Sequence, residues 1–101
     1  MKEVMAKEKA AIVIDQKDNI AVALTDLTKG DDCEVRSNDT ITSVQVEESI
    51  PFGHKIALQR LEKNEIVYKY GEEIGKMKEA AEIGSWIHTH NMYCDRGLKN
   101  G

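Results

Sequence analysis

Two of the chain's three histidines stand two residues apart in the run Trp86-Ile87-His88-Thr89-His90-Asn91. A β-strand has a side-chain period of two, so a strand over 85–91 puts both imidazoles on one face beside Trp86, with Ile87 and Thr89 opposite. A neutral imidazole is the commonest transition-metal ligand, and two on one face can share a coordination sphere or hold an anion. Two ligands do not make a metal site. A third would come from His54, Cys94, a carboxylate or another polypeptide, and spacing does not choose among them. The plain alternative is a pair of partly exposed strand residues bonded to their neighbours.

A second group begins at Pro51-Phe52-Gly53-His54-Lys55, which contains the only Pro and the only Phe. This segment bends the chain before a strand starts, and a His and a Lys at a strand mouth can hold a carboxylate or phosphate through charge-assisted bonds. Solvated residues at a strand entry are the bland reading of the same pair. Lys69-Tyr70-Gly71 closes the next strand. Tyr68, Tyr70 and Trp86 supply most of the aromatic area, and aromatic residues at strand spacing are expected in the core or an interface. The carboxylates are interleaved with lysines, as in Lys7-Glu8-Lys9, and read as a solvated face. There is no Gly-rich phosphate loop, no Ser-His-Asp arrangement and no Cys-x-x-Cys.

The elements that must position these residues are short. β-Branched and apolar bursts separated by Gly, Asp, Asn and charged pairs predict an all-β domain with strands at 10–15, 20–24, 33–37, 40–47, 55–61, 66–70 and 85–91. Seven short strands suit a barrel-like or clip-like fold better than a sandwich. Polar loops are expected at 15–19 and 29–32. Asn64 is expected in a hairpin turn that needs a left-handed residue. The stretch 76–83, rich in helix formers and bounded by Gly75 and Gly84, predicts one or two helical turns.

At 101 residues the chain holds one domain, 1–101, with a core over about 10–91, an N-terminal arm 1–9 and a C-terminal tail 92–101 expected to be loose. With 14 basic against 18 acidic residues and a net charge of −4, it lacks the footprint of a nucleic-acid or anionic-membrane binder. No run reaches the ~20 apolar residues of a membrane span, and the first residues lack a signal-peptide core. A cytoplasmic protein is expected, with Cys33 and Cys94 as free thiols.

Taken together, the blocks 18–24, Ile50-Pro51-Phe52-Gly53-His54-Lys55, Val67-Tyr68-Lys69-Tyr70-Gly71, Ile74-Gly75 and Gly84-Ser85-Trp86-Ile87-His88-Thr89-His90-Asn91 resemble the altronate and galactarate dehydratase family. The likeness is to its N-terminal domain or separate small subunit, over about 18–91. It implies an SAF domain, similar to type III antifreeze proteins, with a compact β-clip fold. Family members remove water from sugar acids to give 2-keto-3-deoxy acids, with a divalent metal such as Fe2+ or Mn2+, and a related small subunit serves a sulfolactate sulfo-lyase. Two departures stand out. After Ile74-Gly75 the family continues with an Ala-Thr pair and Asp-Ile, where this chain has Met77-Lys78 and Ala80-Ala81, and Asn64 stands where Gly is common.

By that resemblance the chain is the small subunit of a hydro-lyase or carbon–sulfur lyase, non-catalytic alone, whose active site is completed by a large subunit. His88 and His90 are then catalytic or metal contacts, and His54, Lys55, Lys69 and Asn91 substrate contacts. Removing a proton beside a carboxylate builds a dianionic enediolate, which a metal and nearby cations stabilise while a general acid protonates the leaving hydroxyl. The alternative is a stand-alone SAF-type module that binds carbohydrate or protein without catalysis.

Overall fold

The computed structural model describes residues 9–38 and 40–94. Among them every regular element is a strand. In chain order these are β1 (Ala10–Ile12), β2 (Ile20–Ala23), β3 (Asp32–Arg36), β4 (Ile41–Gln45), β5 (Lys55–Ala57), β6 (Ile66–Lys69), β7 (Glu72–Met77), β8 (Trp86–Ile87) and β9 (Met92–Tyr93). Six form one sheet in the order β4-β3-β1-β2-β5-β8, and three form a second in the order β6-β7-β9. All pairs are antiparallel except β1 with β3. Two isolated bridges, Leu27 to Ile50 and Leu61 to Ala81, curl the connecting segments onto the sheets. The strand-built, clip-like class expected from the sequence is what the chain adopts.

Small residues on β1 and β2 let the strands of the large sheet carry a thin core. Ala11, Ala21 and Ala23 are buried with Cys33, Val44, Val46, Ile50 and Ile56, and Trp86 packs on the edge of this cluster. A second cluster of Ile20, Ala57, Leu61, Val67, Met77 and Ile87 joins the two sheets. The side chain of Asn19, itself buried, crosses between them. Its amide donates to the Ile66 carbonyl and its oxygen accepts from the Tyr68 N–H, each at 2.9 Å.

Three expectations need correction. No helix forms over 76–83: Met77 ends β7 fully buried, Leu61 and Ala81 exchange two backbone hydrogen bonds, and a turn follows at Gly84. Helix propensity differs by at most ~0.7 kcal/mol per ordinary residue, whereas burying a side chain such as Met77 or Leu61 stabilises by about 1.5–3 kcal/mol. Asn64 does take the left-handed conformation, with φ 70°, but it turns a corner between the two sheets and does not join a paired hairpin. The hairpin lies one step later. Tyr70 and Gly71, with φ 57° and 79°, form the two-residue loop of the β6–β7 pair, and the Gly71 N–H is held by the Asp18 carboxylate at 2.7 Å. Two positive φ values match the type I′ turn that suits strand twist. Finally, ordered structure extends past 91, because Met92 and Tyr93 pair with β7 as β9. The remaining arm, 1–8, and tail, 95–101, lie outside the described residues.

Candidate functional site

The predicted strand over 85–91 is only two residues long. After Ile87 the chain turns, with the Asn91 and Met92 N–H groups both donating to the His88 carbonyl, at 3.0 and 2.9 Å. The residue that makes this turn is Asn91, which is 4% exposed. Its side-chain oxygen accepts from the His88 N–H and its amide donates to the Trp86 carbonyl, both at 2.9 Å. This differs from the substrate contact expected of Asn91: both ends of its side chain hold the loop beneath the imidazoles. Lys78, just past the end of β7, pins the same loop, its ammonium donating to the Thr89 carbonyl and its N–H to the Asn91 carbonyl, both at 2.8 Å.

The turn still delivers both imidazoles to Trp86. The His88 ring stacks on the indole, 9° from parallel at 5.6 Å between centroids, and the His90 ring lies tilted at 5.1 Å. His54 arrives from the turn that leads into β5, the strand next to β8. Its ring is 5.6 Å from Trp86 and 4.9 Å from His88, and the indole N–H donates to His54 Nδ1 at 3.2 Å. Thus all three histidines surround one tryptophan. The expectation that Trp86 belongs to the core is half met: it packs on the large cluster and also forms the hub of the site. Tyr70, by contrast, is exposed on its hairpin, 5.0 Å beneath the Lys69 ammonium.

The turn before His54 is equally defined. The His54 N–H donates to the Pro51 carbonyl at 3.0 Å, and the Phe52 N–H donates to the Asp26 carboxylate at 2.8 Å. Gly53 occupies the third position with φ 85°, which a glycine supplies without steric cost. Phe52 stands exposed at the apex. Lys55 then enters β5 opposite Ile87 of β8 and Val22 of β2.

Charge is what distinguishes this edge. Half-burial lowers the proton affinity of the Lys55 ammonium, and the nearby Lys69 charge lowers it further. Desolvation likewise lowers the His88 pKa below its ordinary 6.5, helped by Lys55, His54 and His90. Among the described residues no carboxylate offsets either shift. Lys55 feels the charge of Lys69, and His88 feels Lys55, His54 and His90, so these groups cluster in a chain whose net charge is −4. Such a cluster can bind a carboxylate or other oxyanion through several convergent donors. It does not form a metal centre by itself: among the described residues no three His, Cys, Asp or Glu side chains are placed to hold one ion.

The sequence singles out the histidines that meet at Trp86 and misses the struts around them. Glu48, whose carboxylate accepts from the Trp86 N–H at 2.9 Å, and the Asp18 and Asn19 clamps are ordinary polar residues of loops. Only their partners, far away in sequence, reveal what they do.

A small β domain of two sheets, with histidines and lysines gathered at one edge, is the build of a β-clip domain, and the likeness to known proteins agrees with that class. Residues 9–95 match the model of the altronate/galactarate dehydratase SAF domain, and the chain belongs to that family. It is 40% identical over 83 residues to altronate dehydratase of Bacillus subtilis (strain 168), covering 82% of this chain and 16% of that protein. To the altronate dehydratase of Escherichia coli (strain K12) it is 39% identical over 80 residues, 79% of this chain and 15% of that one. To the (2R)-sulfolactate sulfo-lyase subunit alpha of Paracoccus pantotrophus it is 44% identical over 59 residues, 58% of this chain and 88% of that subunit. The chain thus spans less than a fifth of the dehydratases and most of the length of a separate small subunit.

Proposed function

We propose that this chain is the small subunit of a cytoplasmic sugar-acid hydro-lyase of the altronate/galactarate type. Its cationic edge holds the substrate carboxylate while a large subunit completes the active site. The observation that carries the reading is the half-buried Lys55 ammonium. Among the described residues no carboxylate is paired with it, and its charge acts on Lys69 and His88. Taking a cation partly out of water without a counter-ion is costly, and an anionic ligand relieves that cost. The likeness to a sulfo-lyase alpha subunit, over 88% of its length, supports the division into subunits.

In this reading His54, Lys55 and Lys69 contact a carboxylate of the substrate, and His88 and His90 lie nearest the reacting carbons. Abstraction of the proton α to the carboxylate leaves an enediolate. The β-hydroxyl, protonated by a general acid as its C–O bond breaks, leaves as water and gives an enol, which tautomerises to the 2-keto-3-deoxy acid by gaining a proton at C3 and losing the enol O–H proton. The lysines oppose the charge that develops on the enediolate oxygens. A divalent metal, Fe2+ or Mn2+, belongs to this proposal as a group whose ligands would come mainly from the large subunit, since the described residues do not assemble a set of their own.

The test is co-expression with the large-subunit protein, purification, and assay of altronate, galactarate and (2R)-sulfolactate for keto-acid or sulfite release. A stable complex that turns over one of them is the expected result. Two proteins that neither associate nor give product from any of these substrates would remove the proposal.

A further inference from the structure

We propose that Trp86 is a positioning residue that fixes the tautomer of the His54 imidazole, with its proton on Nε2, so that the ring turns a hydrogen-bond donor toward its ligand. The nature of that ligand rests on the anion-site reading above; the Trp86–His54 relation does not.

The argument starts from the inventory of the two rings. Indole Nε1–H is a donor and never an acceptor, whereas a neutral imidazole carries one donor and one acceptor nitrogen. The indole N–H lies 3.2 Å from His54 Nδ1. Nδ1 therefore supplies its lone pair, and the single proton of the ring resides on Nε2. Which nitrogen of a histidine is protonated is set by the bond the other makes, and here that bond comes from a neutral donor instead of the usual carboxylate or carbonyl.

Both rings are held so that this bond is not one choice among many. Trp86 is fixed by its N–H on Glu48, its carbonyl on the Asn91 amide, its register opposite Ile56 and its stacking on His88. His54 is fixed by its N–H on Pro51 and its carbonyl, which accepts from the Ala23 N–H at 2.8 Å. With Nδ1 engaged, Nε2–H is the one polar atom His54 can offer, next in sequence to the Lys55 ammonium. A fixed neutral donor beside a fixed cation suits a carboxylate, whose two oxygens each accept a bond. Without the indole N–H, His54 can take its proton on either nitrogen or present a bare one, and a bare nitrogen repels an oxyanion.

The experiment uses the full 101-residue chain, 15N-labelled at histidine and tryptophan, at a pH where the imidazoles are neutral. The wild-type protein should show His54 in the Nε2–H pattern and a coupling across the hydrogen bond between Trp86 Nε1 and His54 Nδ1. Trp86→Phe keeps an aromatic ring but removes the N–H. It should abolish the coupling, give His54 a mixed tautomer pattern and weaken binding of galactarate, the probe, roughly tenfold. An Nδ1–H or mixed pattern in the wild-type protein would overturn the proposal, as would a Trp86→Phe protein with the same pattern and affinity. If that variant does not fold, the wild-type coupling and tautomer decide alone. Galactarate that binds neither protein, with the expected tautomer in the wild type, counts against the anion-site reading and leaves the role of Trp86 standing.

Discussion

The large sheet has two edges, and they are built on opposite plans. β4 is five residues long and three of its first four side chains are open to solvent, Ile41 at 66%. It carries Ile, Thr, Ser, Val and Gln, none of which titrates. β8 is two residues long, with Ile87 fully buried. Yet all three histidines of the chain gather at β8. A long strand orders its residues through the backbone ladder alone, and its regular pleat aims alternate side chains apart. The short edge instead stops the ladder and lets Asn91, Glu48 and Lys78 set each neighbouring group by its own hydrogen bond. Convergence of side chains from β5 and β8 onto Trp86 comes from that irregularity.

The comparison is broken most sharply at the level of turnover. His88→Ala or His90→Ala should lower the rate of the assembled enzyme by about 10²-fold or more, the range for loss of a positioned acid or base. Thr42→Ala on β4 should leave the rate unchanged, and equal losses at both edges would deny them different roles. Next in size is the contact between the edges. Gly84 has φ 89°, and a Cβ there would run into the Gln45 carbonyl at the end of β4. Gly84→Ala should cost about 3 kcal/mol in denaturant unfolding, while Gly30→Ala, also at positive φ but facing open space, should cost only about 1.

Asn91→Ala should cost about 2 kcal/mol, since it leaves the His88 N–H and the Trp86 carbonyl unpaired, against under about 0.5 for Thr42→Ala. A thiol reagent supplies a fourth check beside β4. Cys33, opposite Val44, is fully buried, and burial with Asp31 and Glu34 nearby pushes its pKa up to about 11. Cys94 is exposed. At neutral pH Cys94 should be labelled and Cys33 should react only after unfolding.

The smallest effect is the pH response of His88. Its folded pKa lies below 6.5, so the unfolded chain binds the proton more tightly. Above pH 6.5 the group contributes nothing. As pH falls through 6.5 toward the folded midpoint, it subtracts from stability. NMR titration should place that midpoint below 6.5, and Lys55→Met, by removing a neighbouring charge, should move it upward.

Much of this was legible in the chain. The alternation of β-branched bursts with Gly and Asn gave six of the nine strands nearly in place, and the left-handed turn at Asn64 followed from residue type. His54, Lys55, Lys69, His88 and His90 stand out as candidates because few residue types offer their chemistry, and the structure brings the three histidines together at Trp86. What misled was local preference. The Ala- and Glu-rich run at 76–83 favours a helix by itself, and only contacts with β6, β9 and Leu61 pull it into strand and turn. The histidine spacing suggested a same-face strand, whereas a turn made by Asn91 brings the rings together. Single-sequence patterns carry no record of a partner 30 residues away, so Glu48, Asp18 and Asn19 passed as loop residues.

Trp86 is the one tryptophan in the chain. Because it is also the hub on which His54, His88 and His90 meet, its emission is a private signal from the site. Protonation of a stacked imidazole, arrival of an anion or docking of a second polypeptide would each alter its brightness or colour with no label attached. The domain carries its own fluorescent gauge at the place where its chemistry is concentrated.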